Sequence, residues 1–287
     1  MPNSLHARGI LISIIGVLIL SPDSLLIRLL SLDNNTLIYY RGLLAAITIT
    51  ALLAIYYRQK FFAVILTAGW AGALNGCFFA ATNITFVHSI QITSVANTLV
   101  IVSSAPIFAA ILSVIVLREK QPMRTWIVIL LSLAGIFMIG LGSYQSDALT
   151  GDLFALVCAI TTACSAVLVR LRKTIDLLPS VIFGSLIMAL YAWLNAPITS
   201  VSYAQFGYLA LIGLVVVPLA FTCLTIAPRF AGSAEVQLVF LLEAILGPLW
   251  VWLVINETPS LNTLIGGGVL LASVAWFAAQ ALRPETD

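Results

Sequence analysis

The chain is divided into about ten apolar stretches, each close to twenty residues long. A helix rising about 1.5 Å per residue needs roughly that length to cross a ~30 Å hydrocarbon core. No water is available there, so each backbone N–H and C=O must be satisfied within the protein, and a helix does this within its own segment. A membrane β-barrel would instead show strands of ~10 residues alternating apolar and polar. The runs here are longer and unbroken. Composition agrees: 61% of the residues are hydrophobic, 8% are charged, and mean hydropathy is +1.12. A soluble domain carries about 25% charged residues, so a water-soluble fold is excluded. The expected class is an all-α polytopic membrane protein whose first partner is the lipid bilayer.

The expected spans are 9–30, 36–56, 64–86, 92–117 and 125–143, then, after a polar break at 144–147, 152–171, 180–197, 203–228, 231–255 and 261–282. Arg8 followed by an apolar run resembles a signal peptide, but Ser21, Pro22 and Asp23 do not form a small-x-small cleavage site, so a retained first span is expected. Short loops make neighbouring helices antiparallel. With the N-terminus in the cytoplasm, eleven of the thirteen Lys and Arg residues fall on the cytoplasmic side, and Asp33, Asp147, Asp152 and Glu257 fall outside. That separation supports ten helices with both termini inside.

The two halves look related. Gly9 and Arg28 are echoed by Gly151 and Arg170, Ser94 to Val100 by Ser233 to Val239, and Glu119 by Glu257, in one order and at nearly one offset. Five spans is an odd number, so the second unit, 151–282, is expected upside down relative to the first, 9–143. Inverted repeats of this kind mark transporters that rock about a site near the bilayer midplane.

These features resemble the EamA-type members of the drug/metabolite transporter superfamily, along nearly the whole chain. The resemblance is carried by Glu119 leading into Trp126 and Gly135, by Glu257 leading into Gly266, by Arg41 early in the second span, and by the Ala- and Ser-rich run 94–110 around Pro106. The run from Ser21 to Ser24 departs from the Trp-Gly pair often found in that family's first span. The resemblance implies ten helices, an inverted two-fold, and export or uptake of a small metabolite, among them amino acids, nucleotide sugars and drugs.

Glu243 is the sharpest functional candidate, near the centre of its span. A carboxylate there costs about 2.5–3.5 kcal/mol on insertion scales. It should face a wet cavity, pair with a cation or stay protonated, and the last suits a proton-coupling role. Asp23 follows Pro22, which removes a backbone donor and frees a carbonyl. It is read either as part of a broken helix at a substrate site or as the cap of a kinked helix. Arg41 is expected to attract an anionic group, to snorkel to the interface, or to neutralise Asp23. Arg28 and Arg170 read as interface anchors. Asn75 and Thr82, Asn97 and Ser104, and Thr162 and Ser165 share helix faces, as cavity lining or as interhelical glue. Glu119 and Glu257 read as carboxylates at the positive end of the next helix. Ala68, Gly72, Gly76 and Ala80 form a small-residue stripe for close helix packing.

The four cysteines lie in apolar segments without metal-ligand spacing, and His6 and His88 are far apart, so neither metal nor cofactor is expected. Gly266 to Gly268 lacks the Lys-Ser/Thr of a phosphate loop. The leading reading is a secondary transporter in the cell's inner (plasma) membrane. It would move a small molecule by alternating access, export of amino acids or related compounds being favoured, with protons as a coupling ion and no nucleic-acid partner. The alternatives are a channel or a non-transporting scaffold, and last a membrane-embedded enzyme, for which no paired catalytic constellation is present.

Overall fold

A computed structural model describes residues 2–118, 123–145, 148–172, 174–227, 239 and 241–281. All regular structure among them is helical. The helices are α1 (Pro2–Leu20), α2 (Asp23–Leu30), α3 (Asn34–Tyr57), α4 (Phe61–Ile92), α5 (Val95–Val102), α6 (Ala105–Val116), α7 (Met123–Gln145), α8 (Leu149–Leu171), α9 (Ser180–Asn195), α10 (Tyr203–Ala210), α11 (Val217–Ile226), α12 (Glu243–Ile255) and α13 (Leu261–Ala281). Five described segments are long and apolar enough to cross a membrane, the one over Asn34–Ile92 being 59 residues long, and four shorter apolar helices accompany them. The exterior is as greasy as the core, with Phe62, Leu66, Leu130, Phe137 and Leu253 all exposed. That is the surface of a protein solvated by lipid, and the chain is an integral membrane protein.

Several expected spans are not single helices. The first breaks at Ser21 and Pro22, dividing α1 from α2. Proline has no N–H to give the Leu18 carbonyl, and the Ser21 hydroxyl donates to that carbonyl instead, at 3.0 Å. The fourth span breaks at Ser103 and Ser104, just ahead of Pro106. There the Ser104 hydroxyl bonds the Ile101 carbonyl at 2.6 Å. The eighth passes through a π-helical stretch, Leu211–Val216, before Pro218. In the ninth, α12 starts only at Glu243; most of the residues before it, 228–238 and 240, lie outside those described, as does Glu119. Within α4, Gly69 has φ +51° and kinks the helix.

Polar residues fix the helix starts. Asp33 accepts the Thr36 N–H at 2.9 Å, Ser94 accepts the Asn97 N–H at 3.0 Å, and Ser202 with Gln205 forms a capping box. The principal packing partners are α7 with α13, α4 with α8 and α9, α3 with α9 and the π-helical stretch, α1 with α11, and α5 with α12. The α7–α13 crossing runs through bare backbone: a methyl on Gly135 would lie 2.6 Å from the Gly266 carbonyl oxygen, and one on Gly266 would lie 2.6 Å from that of Gly135. Gly76 and Gly184 let α4 and α9 approach in the same way.

Candidate functional site

The breaks put polar groups at the centre of the bundle. At the first turn of α2, Asp23 turns its carboxylate to Arg41 of α3, and the two form a bidentate pair, Nη1 to Oδ1 at 2.6 Å and Nη2 to Oδ2 at 2.8 Å. Their side chains are 1% and 2% exposed. Nη2 also reaches the Asn83 Oδ1 of α4 at 3.4 Å, and Asn83 is held in turn by donating to the Phe79 carbonyl. The fork geometry satisfies both charges without water. It decides among the readings of Arg41, which neutralises Asp23 and does not snorkel. Asp23 does not act as a helix cap, since no side chain accepts a backbone N–H at the start of α2.

Glu243 opens α12, 6% exposed, within electrostatic range of Asp23, Arg41 and the buried Cys158 thiol. Its Oε2 has no hydrogen-bond partner among the described residues. The Arg41 Nε and the Ser24 hydroxyl, both buried, are equally without one. Gly247, one turn beyond Glu243, lets α12 press against both broken spans. A methyl there would collide with Leu99 of α5 and stand 3.2 Å from the Ser24 oxygen. Trp250 ties the same helix to the first break by donating to the Ser21 hydroxyl at 3.1 Å.

The other expected site residues lie in two further places. Asn75 on α4 donates to Ser180 of α9 at 2.7 Å and accepts from Ser165 of α8 at 2.8 Å, and Thr82 meets Thr161 of α8 at 2.8 Å. Asn75, Thr82 and Ser165 thus stitch α4 to α8 and α9. Thr162 bonds the Cys158 carbonyl of its own helix. Asn97 and Ser104, expected on one face, are separated by the α5–α6 break. Asn97 belongs to a network at one end of the bundle, where α2, α4 and α12 finish and α5, α8 and α13 begin. There Asn97 donates to Asp152 at 3.2 Å, Thr93 donates to Asp152 at 2.7 Å, and Asn97 is also bonded to Thr263 of α13. Asp152, expected at the outer start of the sixth span, lies in the first turn of α8 and is 5% exposed.

Two sequence readings are corrected at this end. Arg28 is not an interface anchor: it donates to the Thr93 carbonyl at 2.7 Å and pairs with Glu257 at 3.4 Å. Glu257 does not serve the helix that follows it. Its Oε1 accepts the Val95 N–H at 2.9 Å, at the first turn of α5. Trp70, in contrast, sits exposed with the Arg172 guanidinium 4.8 Å over its ring, as an interfacial aromatic does. An apolar crevice of about 300 Å³, walled by Ile101, Ile136, Phe137, Leu153 and Leu156, lies between α5, α7 and α8, and neither Asp23, Arg41 nor Glu243 lines it. Among the described residues no three His, Cys, Asp or Glu side chains are grouped to hold a metal.

Residues 4–141 and 149–279 each match the EamA-like transporter family. The chain belongs to that family. That family lies in the drug/metabolite transporter superfamily, whose members are membrane transporters of small molecules. The chain is also 26% identical over 183 residues to the "Uncharacterized transporter YdfC" of Bacillus subtilis (strain 168), a match covering 61% of this chain and 60% of that protein. A solved crystal structure, 16% identical, superposes with a TM-score of 0.67 over 97% of this chain and 100% of the other, which shows a shared fold.

Proposed function

We propose that this EamA-family member is a secondary transporter of the cytoplasmic membrane that moves a small metabolite by alternating access, and that its direction is export of amino acids or related compounds. The observation that carries the reading is the buried convergence of Asp23, Arg41 and Asn83 beside the break in the first span, with Glu243 opening α12, which packs on Ser24 through Gly247. Charged groups inside a bilayer are costly and are kept where they work. Irregular backbone at that depth is tolerated where it borders a cavity.

The architecture in this reading is ten helices in two inverted five-helix repeats, 9–143 and 151–282, with both termini in the cytoplasm. Helix packing supports it. Exchanging each helix for its counterpart five spans on turns the α4–α8 contact into α11–α1 and the α4–α9 contact into the π-helical stretch on α3, while α3–α9, α7–α13 and α5–α12 map onto themselves. In addition, α12 begins 138 positions after α6, the spacing that separates Glu257 from Glu119. The Glu257 end is then external. Glu243 takes up substrate or a coupling proton, the Asp23–Arg41 pair sets the local field, and Ser104 and Thr162 border the path. Asn75, Thr82 and Ser165 hold one wall, and Asn97 the external closure.

The test is flux in proteoliposomes of purified protein with labelled amino acids and an imposed pH gradient. Saturable, gradient-driven flux is expected, with Glu243→Gln reducing it more than tenfold. Wild-type flux and pH dependence in that variant would remove Glu243 from the mechanism, and single-channel currents in planar bilayers would replace the carrier with a channel.

A further inference from the structure

We propose that the membrane-surface end shared by α4 and α8 is a binding site for the phosphate of an anionic phospholipid, with Arg172 and Trp70 at its centre. The length of α4 requires part of it to leave the bilayer core. Its 32 residues extend about 48 Å at 1.5 Å per residue, against a hydrocarbon core of ~30 Å. The helix turns at Gly69, whose φ of +51° an L side chain rarely adopts. From residue 70 to its end at Ile92 it covers about 34 Å, enough for one crossing. The arm before the kink, residues 61–68, is left at the surface, and Phe62 and Leu66 on it are exposed. An apolar helix in that position lies along the boundary between headgroups and acyl chains. It is seated on the turn that follows α8: Ala68 and Ala71, on either side of the kink, pack with Leu177 and Ile175.

That turn brings uncompensated charge to the same place. The indole of Trp70 takes one face of the Arg172 guanidinium and leaves its N–H donors unspent. Nε has no hydrogen-bond partner, and no carboxylate pairs with Arg172 among the described residues. Asp176, the carboxylate within residues 172–179, is engaged elsewhere: it accepts the Tyr57 hydroxyl at 2.6 Å and the Leu178 N–H at 3.0 Å. The Tyr57 bond also draws the end of α3 to this turn, and with it Arg58 and Lys60, two exposed cations in the short helical turn that leads into α4. Neither forms an ion pair among the described residues. A phosphodiester answers this arrangement, because two of its oxygens match the parallel donors of a guanidinium. A lipid does so while laying its acyl chains against Trp70, Phe62 and Leu66. A free phosphate meets the charge and leaves the apolar surface bare, and a zwitterionic lipid brings a cation that competes with Arg172. In the orientation proposed above the leaflet is the cytoplasmic one, but the site does not depend on what the protein transports.

Native mass spectrometry of the purified full-length protein, offered equal amounts of phosphatidylglycerol and phosphatidylcholine of the same chain length, tests the site. Phosphatidylglycerol is expected to be retained roughly fivefold more often. Arg172→Gln should abolish most of that preference. Arg172→Lys, which keeps the charge without the planar fork, should restore less than half of it. Trp70→Leu should weaken it, and Arg58→Gln with Lys60→Gln should weaken it less. Arg8→Gln is the control, an exposed cation on α1, which packs against α11, and should change nothing. The lipid preference belongs to the wild type, so the test survives if an Arg172 variant fails to fold. Equal retention of the two lipids, a preference unmoved by Arg172→Gln, or an equal loss with Arg8→Gln would overturn the assignment. Displacement of the lipid by glycerol phosphate at matching concentration would overturn it too, by making the ligand a free phosphate. A protein that keeps the preference but shows no flux in proteoliposomes would remove the carrier and leave this site standing. Flux without the preference would do the reverse.

Discussion

Two polar regions of this bundle differ in how completely they are satisfied. At the Glu257 end, Arg28, Glu257, Thr93, Asn97, Asp152 and Thr263 come from four separate stretches of chain, and each is bonded to another member or to backbone beside it. In the middle, one strong pair is complete, while Glu243, Arg41 Nε and Ser24 keep unused capacity. A network whose members are all bonded to one another holds helices in one arrangement, although Arg28 Nε within it also lacks a hydrogen bond and meets Glu257 only as an ion pair at 3.4 Å. A cluster with valences left over, in a place where an unmet buried polar group costs about 1–3 kcal/mol, is arranged for something that comes and goes. In the function proposed above, the Glu257 end is the closure and the centre the site.

That contrast can be broken at its strongest point first. Arg41→Met leaves Asp23 buried without its partner and is expected to cost about 3–5 kcal/mol, read by chemical denaturation in detergent. Adding Asp23→Leu should restore most of the loss, and a double variant as unstable as the single would show that the pair is not a self-contained unit. Next, Asp152→Ala removes one partner each from Thr93 and Asn97 at the Glu257 end. It should cost about 1–3 kcal/mol without changing which ligand the centre prefers. A changed ligand preference would mean the two regions are not separable. The smallest effect is expected at Asp33, which caps α3 at the same end. Its partial burial would raise the carboxyl, but the Thr36 N–H and the hydroxyl of Thr199 outweigh this and hold it below its ordinary range. A lowered folded-state value means stability that is present above the unfolded value near 3.9 and disappears as pH falls through the folded one. Asp33→Asn should therefore lower stability slightly at neutral pH, leave it nearly unchanged below the folded value, and so flatten the acid limb of the profile.

The sequence displayed the helices well because hydropathy and proline act locally. The span limits agree with the helix limits within a few residues at Tyr57, Leu171, Ser180 and Tyr203, and Pro22 announced the break beside it, whereas the break ahead of Pro106 was not foreseen. It also singled out Asp23, Arg41 and Glu243, because a charge in an apolar run is conspicuous. Partnership was another matter. Asn83 looked like one polar residue among many, and its place beside Arg41 depends on how α3 crosses α4. Asp152 looked external because it follows a polar break, yet a methyl on its neighbour Gly151 would lie 2.6 Å from the Thr93 backbone N, so the start of α8 is drawn into the bundle. Arg28 and Glu257 are 229 positions apart, and no pattern within one helix relates them.

The Gly135–Gly266 crossing has a further consequence. Where two helices meet through carbonyl oxygen and Cα alone, no side chain interposes to take up slack, and a single added methyl must wedge the axes apart. The two rods are thereby coupled at fixed separation: one cannot be withdrawn without dragging the other. In the alternating-access reading proposed above, α7 and α13 move as a single spar and the parting falls along seams elsewhere.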